Sequence, residues 1–137
     1  MLTLTASVHQ QMLAHAYDGL PNEACGLFAG AFGSSHVESF HPMTNAAESQ
    51  QIYTLDDQEY LDVESRTDEG GQAILGVMHS HTHTTAYPSP TDVEDAARFD
   101  PFGTWFFVIV SLKHPEPALR AYTILDDAIT EHLVDVV

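Results

Sequence analysis

Residues 72–81, QAILGVMHSH, form a near-continuous apolar run that ends in two histidines. A strand that is apolar on both faces must be covered on both, which is the pattern of a central strand in a layered α/β structure. Three segments supply helices to cover it. Residues 6–19 place Val8, Met12, Leu13 and Tyr17 near helical spacing, with Gly19 as a stop. Residues 56–70 open on aspartate and close on glycine, as a surface helix does, and in residues 89–99 Ser89 offers an N-cap with Pro90 at the first helical position. Further strands are expected at 21–32, at 33–43 (where Val37 and Phe40 alternate with polar residues), at 51–55, 104–112 and 118–125, and within 128–136. The resulting order, α-β-β-β-α-β-α-β-β-β, describes an α/β fold: a single domain over residues 1–137 with a mixed β-sheet packed with helices.

Composition narrows the partners. The chain has 137 residues, 44% of them apolar, enough for a core without staples. Twenty acids against four bases give a net charge of −16, which argues against nucleic acid and against anionic membrane surfaces. The single Cys25 excludes an internal disulfide framework and fits a reducing compartment. The segment MLTLTASVHQQ has neither the basic nor the apolar region of a signal peptide, and WFFVIV is far shorter than the roughly 18 residues of a membrane span. A cytoplasmic, soluble protein is expected. Composition says nothing of its oligomeric state.

The chemistry lies in VMHSHTHTTAYPSPTDVEDA, residues 77–96. On a strand, positions i and i+2 face the same way, so His79 and His81 share a face at the strand's end, where open α/β sheets place their ligands. A lone HxH is equally well two polar residues bonded to water or backbone. Asp92 adds a carboxylate in the first turn of the next helix, and two histidines with one aspartate leave a fourth position open, as catalytic zinc sites do. The other reading of Asp92 is a capping box with Ser89, and both roles are compatible because they use different lone pairs. His83 has the right parity, but it falls beyond the expected strand end and reads as a rim residue. A hydrolase also needs a general base. Glu23, at the entrance of the apolar segment PNEACGLFAG, is preferred over Glu38 and Glu48 because a carboxylate is unwelcome there without a purpose.

His79, His81, Ser89 and Asp92 match the JAMM (MPN+) metalloprotease motif in spacing and identity, and EACGLFAG resembles that family's glutamate segment. The resemblance covers most of the chain. It implies a JAMM/MPN architecture of the cytidine-deaminase-like kind, one zinc on His79, His81 and Asp92, Glu23 as general base, and Ser89 steadying the oxyanion. PMTNAAES, YTLD and HSHTHTTAYPSPTDV resemble the compact bacterial Mec-type members, which release cysteine from a sulfur-carrier protein in cysteine biosynthesis. The chain has THTTAYPS where many relatives carry HPxGxxGPS, so the loop beside the metal is expected to differ in shape.

Other classes fit less well. A nucleobase deaminase needs H-x-E with P-C-x-x-C, which one cysteine cannot supply, and no HExxH is present. A cupin would be nearly all β, against the helical segments at 6–19 and 56–69. Cys25 reads as a core thiol, and Trp105 as part of a buried strand. The expected activity is zinc-dependent hydrolysis at the C-terminal Gly-Gly of a small ubiquitin-like sulfur-carrier protein, the tail lying extended beside a strand. His83, Thr84, Thr85 and Tyr87 are expected to line the leaving group's pocket, with His83 or Arg66 facing its carboxylate. An isopeptidase acting on ubiquitin-like modifiers and a metal-free scaffold of the same fold are the alternatives.

Overall fold

A computed structural model describes all 137 residues. In chain order the elements are β1 (Leu2–Leu4), α1 (Ala6–Asp18), β2 (Cys25–Gly30), β3 (His36–Val37), β4 (Ser39–Met43), α2 (Asp57–Glu69), β5 (Ala73–His81), α3 (Pro90–Phe99), β6 (Phe106–Ser111), β7 (Ala118–Leu125), β8 (Ala128–His132) and β9 (Val134–Val136). The apolar run is β5, and it lies inside a six-stranded mixed sheet of order β4-β2-β5-β6-β7-β8. It pairs antiparallel with β2 and parallel with β6. One face is covered by α1, through Val8, Met12 and Ala16 against Phe28, Met78, Val108 and Val110. The other is covered by α2 and α3, where Val63 and Ala96 meet Leu27, Val77 and Phe107. Both faces of the run are therefore dry, as its composition requires. No helix is long and apolar enough to cross a membrane.

Each helix begins at a side-chain cap. Thr5 accepts from the Val8 N–H (3.1 Å), Asp56 from Glu59 (2.9 Å) and Ser89 from Asp92 (3.1 Å). The buried stripe of α1 is Val8, Met12 and Ala16, while Tyr17, expected on the same face, is 44% exposed. Its position one residue past the i, i+4, i+8 line turns it outward.

Four expectations about strands are corrected. Residues 2–4, not anticipated as a strand, form β1 between β3 and β9 in a separate parallel sheet. Residues 33–43 are two strands in different sheets. Val37 and Phe40, three apart, cannot share one face of a single strand, and the change of sheet at Glu38 lets both enter the same core. The final segment likewise divides into β8 and β9. Residues 51–55 are not a strand: only an isolated bridge joins Leu55 to Asn45, and the loop is organised by side-chain bonds described below.

The parallel pairing of β5 with β6 fixes the geometry that matters. A chain leaving the C-terminal end of β5 must travel back along the sheet before β6 can start, and α3 makes that return. The first turn of α3 is thus delivered beside the end of β5. At mid-strand, Gly76 allows the sheet to close. A Cβ there would stand 1.9 Å from the Phe106 carbonyl oxygen and 2.6 Å from Phe28 Cζ, both held by flanking strands. Gly76→Ala is expected to lower stability by about 3 kcal/mol in urea denaturation, and an unchanged midpoint would show that the sheet can spread at this point.

Candidate metal centre

His79 and His81 are the last alternate residues of β5 and both are buried. Asp92 is the third residue of α3, in a capping box with Ser89: the Ser89 N–H donates to Asp92 Oδ2 (2.9 Å) while the Asp92 N–H donates to Ser89 Oγ. The same Oδ2 lies 3.1 Å from His79 Nε2 and 3.0 Å from His81 Nε2, and the two nitrogens are 3.1 Å apart. One oxygen thus carries both functions considered for this residue, cap acceptor and member of the cluster. Burial by itself would raise the Asp92 carboxyl, but the facing imidazoles and the Ser89 amide outweigh it and hold the group well below the usual carboxylate range.

The three atoms suit a cation. His81 Nδ1–H donates to the Thr85 carbonyl (2.8 Å), which leaves the Nε2 lone pair facing the other two ligand atoms. His79 is held flat by Tyr53, whose ring stacks on it at 4.4 Å and 20°. Ligands on a tetrahedral zinc with bonds of about 2.0–2.1 Å stand roughly 3.3 Å apart. The triangle is slightly tighter than that, so a small outward movement would seat the ion. An N,N,O donor set with one open position fits zinc.

Glu23 stands just before β2, and the ladder pairs Cys25 with His79, so β2 brings Glu23 to the cluster's end of the sheet. It is 4% exposed, and its Oε1 has no hydrogen-bond partner. Burial pushes its carboxyl up to about 8, with Asp92 adding to the rise and His81 opposing it. The other two candidates are exposed. Glu38 accepts from Gln72 Nε2 (2.5 Å) near the start of β5, and Glu48 sits in the 44–55 loop.

The remaining expected site residues lie on the loop between β5 and α3. His83, Thr84, Thr85 and Tyr87 are exposed there, and β5 has ended before His83. Thr85 reaches the cluster through its carbonyl and not its side chain, Thr84 O accepts from Ser111 Oγ (2.5 Å), and the Tyr87 ring meets Tyr122 edge-on. Ser89 Oγ accepts from the Asp92 amide, leaving its proton free to donate elsewhere. Arg66 is not on this loop. It lies in the last turn of α2, whose next residue, Thr67, accepts from the Gln72 amide just before β5, and its charge bears on His41. The ladder sets His41 level with Leu27 and Val77, so Arg66 is placed beside the middle of the sheet, not at its histidine end. Cys25 is core, its thiol pushed up to about 12 by burial first and then by Glu59 and Glu23.

Sequence reasoning missed three residues around the cluster: Tyr53, Ser80 and Asn45. Ser80 has a visible signal, a hydroxyl between two histidines and hence on the opposite face of the strand. Asn45 and Tyr53 lie in PMTNAAES and YTLD, whose likeness to family members is visible but whose local pattern assigns neither residue a contact.

The family described as prokaryotic homologs of the JAB domain matches residues 5–125, and the chain belongs to this JAB (JAMM/MPN) family. It is 41% identical to the CysO-cysteine peptidase of Mycobacterium tuberculosis strain H37Rv, over 100% of this chain and 92% of that protein. It is 35% identical to the desampylase of Haloferax volcanii over 70% of this chain and 73% of that one. Among solved structures, a protein from Desulfitobacterium hafniense superimposes with a TM-score of 0.89 at 35% identity, covering 100% of this chain and 93% of the other.

Two measurements follow from this geometry. Elemental analysis should find the metal lost from His81→Ala and retained in His83→Ala; equal loss would overturn the assignment. The second concerns Glu23 in the metal-free protein. Its folded pKa of about 8 exceeds the ordinary 4.5, so the folded state keeps a proton that the unfolded chain releases. Stability from this group therefore falls as pH rises between those values. Metal-free Glu23→Gln should melt with the parent near pH 4 and above it at pH 8, and coincident melting at both pH values would contradict an unpaired buried carboxyl.

Proposed function

We propose that the chain is a zinc-dependent hydrolase that releases cysteine from the C-terminal Gly-Gly of a ubiquitin-like sulfur-carrier protein. One observation carries the chemistry: a buried Glu23, with one carboxyl oxygen that has no hydrogen-bond partner, at the end of the sheet that holds the His79–His81–Asp92 cluster. Likeness to a CysO-cysteine peptidase over the full chain supports the substrate class. Zinc held by His79, His81 and Asp92 would supply a Lewis acid that polarises the scissile carbonyl and acidifies water. Glu23 takes a proton from the attacking water and hands it to the departing amine as the C–N bond breaks, leaving a carboxylate on the carrier's terminal glycine and free cysteine. A carboxyl with one oxygen free of hydrogen bonds can do both, since nothing holds that oxygen in one orientation. Ser89, whose hydroxyl proton is free, donates to the oxyanion. In this reading His83, Thr84, Thr85 and Tyr87, exposed on the loop after β5, rim the leaving group's side, on a short loop with no insertion to hold a second folded protein. We place this reaction in the cytoplasm, within cysteine biosynthesis, with the carrier's tail extended beside a strand.

A second reading, an isopeptidase that removes a ubiquitin-like modifier from protein lysines, is favoured by the likeness to a desampylase. The two separate in one assay. Purified enzyme receives a carrier with C-terminal Gly-Gly-Cys and a carrier–lysine isopeptide conjugate, and intact mass is followed with and without chelator. Chelator-sensitive loss of cysteine alone, diminished at least ~10²-fold in Glu23→Gln, is the expected result. Cleavage of the conjugate with an untouched cysteine adduct would replace the first reading by the second.

A further inference from the structure

We infer that Asn45 and Ser80 are positioning residues that set the reach of Glu23 by gripping the two poles of one peptide group, an inference that rests on the role proposed for Glu23. The Glu23 carbonyl and the Ala24 N–H belong to the same planar unit. Asn45 Nδ2 donates to the Glu23 carbonyl (3.0 Å), and the Ala24 N–H donates to Ser80 Oγ (2.8 Å). The Ser80 N–H donates in turn to the Ala24 carbonyl (2.9 Å), and the Glu23 N–H donates to the Ser49 carbonyl (2.8 Å). Every backbone polar group of residues 23 and 24 is thereby engaged, while the Glu23 carboxyl keeps one oxygen with no partner.

That division suits a group that must shuttle a proton. Its backbone has to be rigid so the carboxyl lands within hydrogen-bond reach of the reacting atoms, and its side chain has to be free to turn from water to leaving amine. A bond to the carboxyl itself would hold it in one orientation. A bond to the peptide does not.

Asn45 is equipped for this task. Its amide nitrogen also reaches the Ile52 carbonyl (3.0 Å) and lies 3.4 Å from that of Ser49, and its Oδ1 accepts from the Ala47 and Thr54 amides (3.0 Å each). One buried side chain therefore shapes the loop that presents Ser49 to the Glu23 N–H and Tyr53 to His79. Thr82 Oγ1 ties the loop to the end of β5 by donating to the Gln50 carbonyl (3.1 Å). Ser80 makes the complementary grip from β5, on the face opposite the two histidines.

The test uses Asn45→Ala and Ser80→Ala, each alone and combined with Glu23→Gln, on a ubiquitin-like carrier ending in Gly-Gly-Cys. Each single variant should keep its metal by elemental analysis and its KM within about twofold, and lose kcat by about 10–10²-fold, the scale of a misplaced group. Combined with Glu23→Gln, neither should lower kcat further, because a positioning residue has nothing left to position. Should Asn45→Ala fail to fold, Ser80→Ala, which removes one oxygen atom, carries the test. In metal-free Ser80→Ala the Ala24 amide should exchange its hydrogen faster while that of Leu27 keeps its parent rate. Parent-like kcat in the single variants, losses that multiply with that of Glu23→Gln, or unchanged Ala24 exchange would overturn the inference. A fully active Glu23→Gln would instead remove the role of Glu23 on which it rests.

Discussion

Asp92 Oδ2 is the atom on which the site depends. It closes the cap of α3 by accepting from the Ser89 amide and stands 3.0–3.1 Å from both imidazole nitrogens. A carboxylate buried this deeply is costly unless its charge is answered on all sides. Here the answers come from two histidines on a strand, an amide at a helix N-terminus and the positive end of the helix dipole. The cap sets the orientation of α3's first turn, and that turn sets where the carboxylate meets the strand. Local helix chemistry and the ligand cluster are therefore one structure.

The same end of the sheet holds a second carboxylate with the opposite character. Glu23 is also buried, yet no donor meets its free oxygen, and burial drives its carboxyl up to about 8 where Asp92 is driven down. Two acids set apart in this way suit the different tasks proposed for them, one as a charged member of the cluster and the other as a proton carrier. The difference arises from what their backbones allow. Asp92 sits in a helix turn where the Ser89 N–H is free to donate to it, whereas Glu23 precedes a strand whose N–H groups are already spent on neighbours.

Much of this was legible in the order of residues. The dry run at 72–81, the three capped helices and the H-x-H, S-x-x-D spacing all carry local signals, since capping, periodicity and strand parity act over a few residues. The errors also have local causes. Two-sheet segments such as 33–43 mimic one strand because a change of sheet costs only a single residue. The 44–55 segment, with its YTL run, resembles a short strand although its backbone is satisfied by Asn45, by turns and by neighbouring carbonyls.

By itself the sequence determined the identity of the cluster, through parity on β5 and an N-cap at Ser89, and the need for helices on both faces of the central strand. Only the tertiary structure decided the rest. The parallel pairing of β5 and β6 forces α3 to return and bring Asp92 back to His79, and the antiparallel pairing of β2 with β5 carries Glu23 to the same end. Tyr53, Ser80 and Asn45 entered only then, because stacking on a histidine or gripping a peptide pole depends on contacts between residues 22 to 56 positions apart, and no local pattern of side chains records such contacts.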